Sequence, residues 1–341
     1  MTRLLVLGGT AFVGRAVVDA ALRRGWKVTT FSRGVTGPPP SGAEALTGDR
    51  TDPDGLRALA GREWDLVIDT WRDDAAAVTA AARALEPSVG RYAYVSSLAV
   101  YAWPPPAEFT EDAPLLDPDS GSSGGIFGSY ALAKAGGEHA VRAAFGDRAL
   151  LARTGLILGP HEYAGRLPWW LLRVARGGRV AAPRPSDLPL QYIDTRDLAE
   201  WLLDAEENGL AGDFNVLSDV GHATMASLLA ACRAVTGGGA DLTWVDGDVL
   251  LAHGVRPWME LPIWIPPGNV LEPSYRVDST KAKAAGLHCR PVHDTVADTW
   301  RWLRSEPDHG RRAGQDKPWM TPEKEAEVLV AWDRLLRSAG G

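Results

Sequence analysis

The sequence predicts an α/β fold, a doubly wound parallel sheet with a smaller C-terminal lobe, on three observations. From residue 3 to about 153, short β-like runs alternate with helix-like segments, the order that builds a parallel sheet covered on both faces through right-handed crossovers. A glycine-rich turn, Gly8 to Gly14, joins the first strand to the first helix. The chain has 341 residues, 45% of them hydrophobic, which is enough to bury a large core.

Six strands are read in order: Arg3 to Gly8, Lys27 to Phe31, Ala45 to Thr47, Asp65 to Asp69, Arg91 to Ser96 and Ala149 to Arg153. Each is a short apolar or β-branched run bounded by turn residues. Between them Phe12 to Arg24, Asp54 to Ala60, Asp73 to Glu86 and Ser129 to Phe145 are rich in Ala, Leu and Arg, with apolar positions at helical spacing. After Gly159 prolines break the chain into shorter pieces, among them Pro183, Pro185, Pro189, Pro257, Pro262, Pro266 and Pro267. Residues 1–156 are therefore expected to form the first domain, with 190–216 returning to it, and 157–304 mainly the second lobe. Residues 305–341 read as an exposed linker, SEPDHGRRAGQDKP, followed by an amphipathic helix opened by Thr321-Pro322-Glu323.

Bulk composition narrows the partners. A formal net charge of −7 gives no basic field for a nucleic acid or an anionic membrane. The two cysteines, Cys232 and Cys289, build no disulfide framework, and with the seven histidines scattered no metal site is expected. Leu4 to Leu7 is too short for a signal or membrane segment. A cytoplasmic protein acting on a small molecule fits these features.

The first strand, the loop Gly8-Gly9-Thr10-Ala11-Phe12-Val13-Gly14 and the helix after it form a Rossmann-type nucleotide loop. A pyrophosphate there meets main-chain N–H groups and the positive end of the helix. Gly8 permits the tight turn and Gly14 close packing, while Ala11 replaces a common middle glycine. The next strand ends at Ser32-Arg33 without the acidic residue that usually binds the ribose 2′-hydroxyl of NAD. Arg33 there suits a 2′-phosphate, so NADP(H) is favoured and NAD(H) is the alternative; an arginine that only stacks on adenine is the other reading. Asp49 is placed at the adenine edge, with Asp69, Thr70 and Trp71 lining the cofactor channel.

Tyr130 and Lys134 are four residues apart on a helix, hence on one face. A neighbouring ammonium favours the phenolate, letting Tyr130 exchange a proton with a substrate oxygen near neutral pH, and Lys134 would also reach the nicotinamide ribose. Ser97 at the end of the fifth strand would hydrogen-bond the same oxygen and hold it for hydride transfer. The pieces GGTAFVG (8–14), YVSSLAVY (94–101), SYALAK (129–134), RTGLILGP (153–160) and QYIDTRDLAEW (191–201) together resemble the extended short-chain dehydrogenases/reductases of the NAD-dependent epimerase/dehydratase family. The resemblance spans nearly the whole chain. It implies that Ser97 rather than Ser96 is catalytic, that Thr154, Gly155 and Leu156 face the nicotinamide amide, and that the protein is a homodimer formed through two helices, Asp73 to Glu86 and Ser129 to Phe145.

Departures from subfamily patterns narrow the reaction. Leu98-Ala99 stands where sugar-nucleotide dehydratases carry Asp-Glu, and residues 94–101 contain no cysteine of the kind used to invert carbons beside a keto group. These departures disfavour dehydration and inversion beside a keto group but leave open a 4-epimerase retaining NAD; Arg33, pointing to NADP(H), favours carbonyl reduction over it, with a non-catalytic regulator or an RNA-associated relative as the different-class alternative. Leu98, His161, Tyr163, Trp169 and Trp170 are the candidate substrate contacts. Arg166, Arg173, Arg176, Arg179 and Arg184 could hold an anionic handle or form a solvated helix face.

Overall fold

A computed structural model of the chain describes residues 1–106, 109–119, 123–306 and 318–339. Strand pleating explains how the first half folds. In β1 (Arg3–Leu7), Leu4 and Val6 enter one core and Leu5 and Leu7 the other. The alternation repeats in β4 (Trp64–Asp69), β5 (Val89–Ser97) and β6 (Ala149–Thr154): Leu66, Ile68, Ala93, Val95, Leu150 and Ala152 go to the first face, and Val67, Tyr92, Tyr94 and Leu151 to the second. A strand apolar on both faces must be covered on both. α1 (Phe12–Arg23) and the helix Thr195–Glu207 cover the first, and α2 (Ala75–Leu85) and α3 (Gly128–Phe145) the second.

With β2 (Lys27–Ser32), β3 (Glu44–Thr47) and a last strand Gly212–Asn215, the sheet has seven strands, ordered Gly212–Asn215, β6, β5, β4, β1, β2, β3, all paired in parallel. The chain reverses direction across the sheet at β1, between β2 and β4, so the crevice where such folds bind ligands lies at the carboxyl ends of these strands. The expected helix Asp54 to Ala60 is reduced to one 3₁₀ turn, Arg57–Leu59. Leu59 is its one buried residue, with Leu56 and Ala58 only partly buried against the same core, too little packing to hold a longer helix.

Packing divides the chain into two units. The first comprises Met1–Ile157, Ile193–Ser218 and Val277–Cys289; the last of these segments was expected in the second lobe, but Val277, Ala282 and Leu287 pack into the α1 core. The second comprises Leu158–Tyr192, Asp219–Arg276 and Arg290–Gly341. It contains helices Arg166–Ala175, Met225–Thr236 and Val292–Ser305, and a parallel strand pair, Gly178–Pro183 with Ala240–Val245. The C-terminal helix runs Pro322–Ala339. Most of the expected linker, 307–317, lies outside the described residues. Among the described residues no helix is long and apolar enough to cross a membrane.

Candidate functional site

The carboxyl edge of the sheet gathers the sequence-predicted residues of the first unit: Gly8–Gly14 after β1, Ser32 and Arg33 at the end of β2, Asp49 after β3, Asp69–Trp71 at the end of β4, Ser97 closing β5 and Thr154–Leu156 at the end of β6. At the first loop, Gly8 has φ +100°, and a Cβ there would lie 2.5 Å from Thr70 Oγ1; a Cβ on Gly14 would lie 2.1 Å from the Gly8 carbonyl oxygen. Neither position accepts a side chain. Ala11 has φ −136° and ψ 148°, ordinary extended backbone, which is why an alanine replaces the middle glycine without strain. The left-handed conformation falls instead on Phe12, at φ +38°. The Phe12 and Val13 side chains are buried in the α1 core, so these residues would meet a cofactor through their main chain. α1 has no side-chain cap and no acid in its first turn, which fits a pyrophosphate at its positive end.

Further along the edge, Thr10 Oγ1 is 2.6 Å from Thr36 Oγ1, and Ser32 Oγ accepts the Gly34 N–H. Arg33 is exposed. Asp49 accepts both the Thr51 hydroxyl and N–H, at 2.7 and 3.0 Å. Those bonds, and then the charge of Arg33, hold its carboxyl below the usual range.

At the chemical centre, α3 packs against β5 and the short turn Leu98–Val100. Ser97 is half-buried at the head of that turn, where its Oγ accepts the Ala99 N–H. Tyr130 is half-buried at the start of α3. Lys134 is 3% exposed. Its Nζ donates to the Trp71 and Val95 carbonyls and stands 4.5 Å over the Tyr94 ring. Burial lowers its pKa to about 7, with the charge of Arg72 acting in the same direction and those of Asp69 and Glu138 against it. Near neutral pH Lys134 is thus close to its midpoint between the charged and neutral forms.

Burial sets the surroundings of three further candidates. Asp69 is fully buried, and its carboxylate is taken by Arg50 at 2.7 Å on both oxygens, Tyr92 Oη at 2.6 Å and the Trp71 N–H at 2.9 Å. Leu98, a candidate substrate contact, packs in the α1 core and is 3% exposed. Trp170 is fully buried in the second unit, where its Nε1 donates to the Pro262 carbonyl. Thr70 Oγ1 donates to the Leu7 carbonyl, Thr154 Oγ1 to that of Ser96, and half-buried Trp71 lies under the Arg50 guanidinium. His161, Tyr163 and Trp169 belong to the second unit: the His161 ring packs at a tilt against Trp302, Tyr163 is exposed and Trp169 meets Trp170 edge-on. Four of the five arginines proposed as an anionic clamp are ion-paired there, Arg166 with Glu162, Arg173 with Glu325, Arg179 with Asp333 and Arg184 with Asp246.

Sequence reasoning missed the buried charges behind the site. Glu138 accepts from Ser96 Oγ at 2.6 Å and from Arg153 at 2.9 and 3.0 Å, and fully buried Arg153 also reaches Asp213 and the Tyr101 hydroxyl. This network ties α3 to β5 and β6 one turn beyond Lys134. A signal was available: Glu138 follows Lys134 by four residues, on the same helix face.

A search of curated proteins finds no match to the chain. Solved structures similar to it include Bordetella bronchiseptica WbmH in complex with NAD+ (TM-score 0.68, 18% identity, covering 90% of this chain and 99% of that one). They also include a UDP-glucose 4-epimerase (0.68, 17%, 90% and 98%) and B. bronchiseptica WbmG in complex with NAD and UDP (0.65, 18%, 89% and 94%). At these identities the likeness establishes the fold. The model of the NAD dependent epimerase/dehydratase family matches residues 4–216, a span that takes in the glycine turn, Ser97, Tyr130, Lys134 and the buried network around them. On that match the chain belongs to the NAD-dependent epimerase/dehydratase family, enzymes of the extended short-chain dehydrogenase/reductase type.

Proposed function

We propose that this enzyme is an NADP(H)-linked reductase of a ketone or aldehyde in a small metabolite. The bound dinucleotide supplies the hydride. Tyr130 gives its hydroxyl proton to the substrate oxygen, Ser97 hydrogen-bonds the same oxygen, and the charged form of Lys134 makes the resulting phenolate less costly. The observation that carries the cofactor choice is the end of β2: exposed Arg33 follows Ser32, and no acid occupies either position. A guanidinium there complements a 2′-phosphate and offers nothing specific to a 2′-hydroxyl.

A 4-epimerase retaining NAD is the second reading. It is favoured by the likeness to a UDP-glucose 4-epimerase and to structures holding NAD, and the same three residues would serve both half-reactions. Thermal unfolding with NADPH, NADP, NADH and NAD at equal concentration separates the two. A ligand at 100 times its dissociation constant stabilises the native state by about 2.7 kcal/mol. Stabilisation by the phosphorylated pair alone supports the reductase, and preference for NAD(H) replaces it with the epimerase. We further propose a cytoplasmic homodimer pairing α2 and α3 across their outer face, where Ala75, Ala133, Gly136 and Ala140 line a shallow groove and small side chains permit close helix approach. A monomer by light scattering removes that part.

A further inference from the structure

We infer that the buried Arg50–Asp69 ion pair is a positioning device for Lys134, acting through the main chain of Trp71. The inference rests on the reading of Lys134 as part of the reacting centre. Its steps are all hydrogen bonds. Asp69, on β4, accepts the Trp71 N–H at 2.9 Å, which fixes the Thr70–Trp71 peptide and with it the position of the Trp71 Cα that carries the next carbonyl. The Trp71 carbonyl then accepts from Lys134 Nζ and from Tyr94 Oη. The Val95 carbonyl takes a second Lys134 donor at 2.7 Å. An ammonium has three donors, so two are spent holding it and one remains.

Arg50 gives the arrangement its stiffness. It grips Asp69 with two parallel bonds of 2.7 Å, donates to the Ala77 carbonyl at the start of α2, and its guanidinium lies 5.0 Å from the centre of the Trp71 ring. Trp71 is thereby clamped by its N–H and by its ring. Stability alone does not account for such a pair, because well-packed apolar residues in the same space are commonly as stable as a buried ion pair or more so. The charges that bear on Lys134 come from every side: Asp69 from β4, Arg50 from the segment after β3, Arg72 beyond β4 and Glu138 from α3, with the Tyr94 ring beneath from β5. Asp69 is the largest of those favouring the ammonium.

The test reads Lys134 directly. The chain has six lysines, so ¹³Cε-lysine NMR of the full-length, cofactor-free protein can follow Lys134 through a pH titration, with Lys134→Met giving the assignment. Asp69→Asn strands the Arg50 charge and is a poor first variant. The double variant Arg50→Met, Asp69→Leu removes both charges and is judged folded by circular dichroism. The expected result is a Lys134 midpoint lowered by about 0.5 pH unit or more, because Asp69, which favours the ammonium, acts on it more strongly than Arg50, which opposes it, together with a weaker thermal shift from NADPH used as probe. Tyr92→Phe, which removes one donor but leaves the pair, is expected to keep the midpoint within about 0.3 units, a small fraction of an ion-pair effect. A folded double variant whose midpoint matches the wild type overturns the inference. Tyr130→Phe turnover decides the catalytic reading separately, so the two can fail independently.

Discussion

The nucleotide loop and the surroundings of Lys134 lie on the same edge of one sheet, yet they are built from different materials. The loop is made of main chain, and its shape follows from the absence of side chains at Gly8 and Gly14. The lysine pocket is made of buried charge drawn from β4, α3 and the segment after β3. A main-chain site is rigid because a clash forbids anything else. A charge-built site is rigid only while every partner is present, and in return it can set the protonation state of what it holds.

Breaking one partner in the lysine pocket should therefore cost most. Asp69→Asn leaves Arg50 buried without its counter-charge, and a loss of about 3–5 kcal/mol is expected in urea unfolding; a loss below about 1 kcal/mol would mean that water or a neighbour replaces the carboxylate. In the loop, Gly14→Ala sets a methyl carbon against the Gly8 carbonyl, which is backbone and cannot swing aside. The expected cost is about 1–3 kcal/mol, with the cofactor-induced thermal shift abolished, and an undiminished shift would show that the loop reopens freely.

A pH dependence sharpens the contrast, because the lysine pocket titrates and the glycine loop does not. Unfolded Lys134 holds its proton to its ordinary value of 10.5, whereas folded Lys134 gives it up near 7. Between those values the unfolded state binds more protons, so stability rises with pH. From pH 7 to 9 the contribution is about 2 kcal/mol in favour of the folded state. In Lys134→Met that rise should be missing, and equal slopes in the two proteins would place the Lys134 pKa near its ordinary value.

The same contrast governs what could be read in advance. β1, β4, β5 and β6 were legible to within about two residues because an apolar strand between helices has few alternatives. The loop was legible because glycine spacing states main-chain geometry. Lys134 and Tyr130 were found through helical spacing, but the burial of Lys134 was not, since it depends on Trp71 and Val95 from distant strands. Asp69 was placed on a channel wall because its partner Arg50 lies nineteen residues away with no periodicity linking them. Leu98 and Trp170 were assigned to substrate from their neighbours in sequence, and packing drew both into cores.

The central claim is that Tyr130 moves the proton, and Tyr130→Phe tests it most directly. NADPH consumption would be followed over a panel of small ketones and aldehydes, with UDP-glucose and UDP-galactose interconversion beside it, and cofactor binding checked by thermal shift. The account predicts an unchanged cofactor shift and turnover reduced by about 10²–10⁴-fold, the range of a lost general acid. Wild-type turnover in the folded, cofactor-binding variant would contradict it.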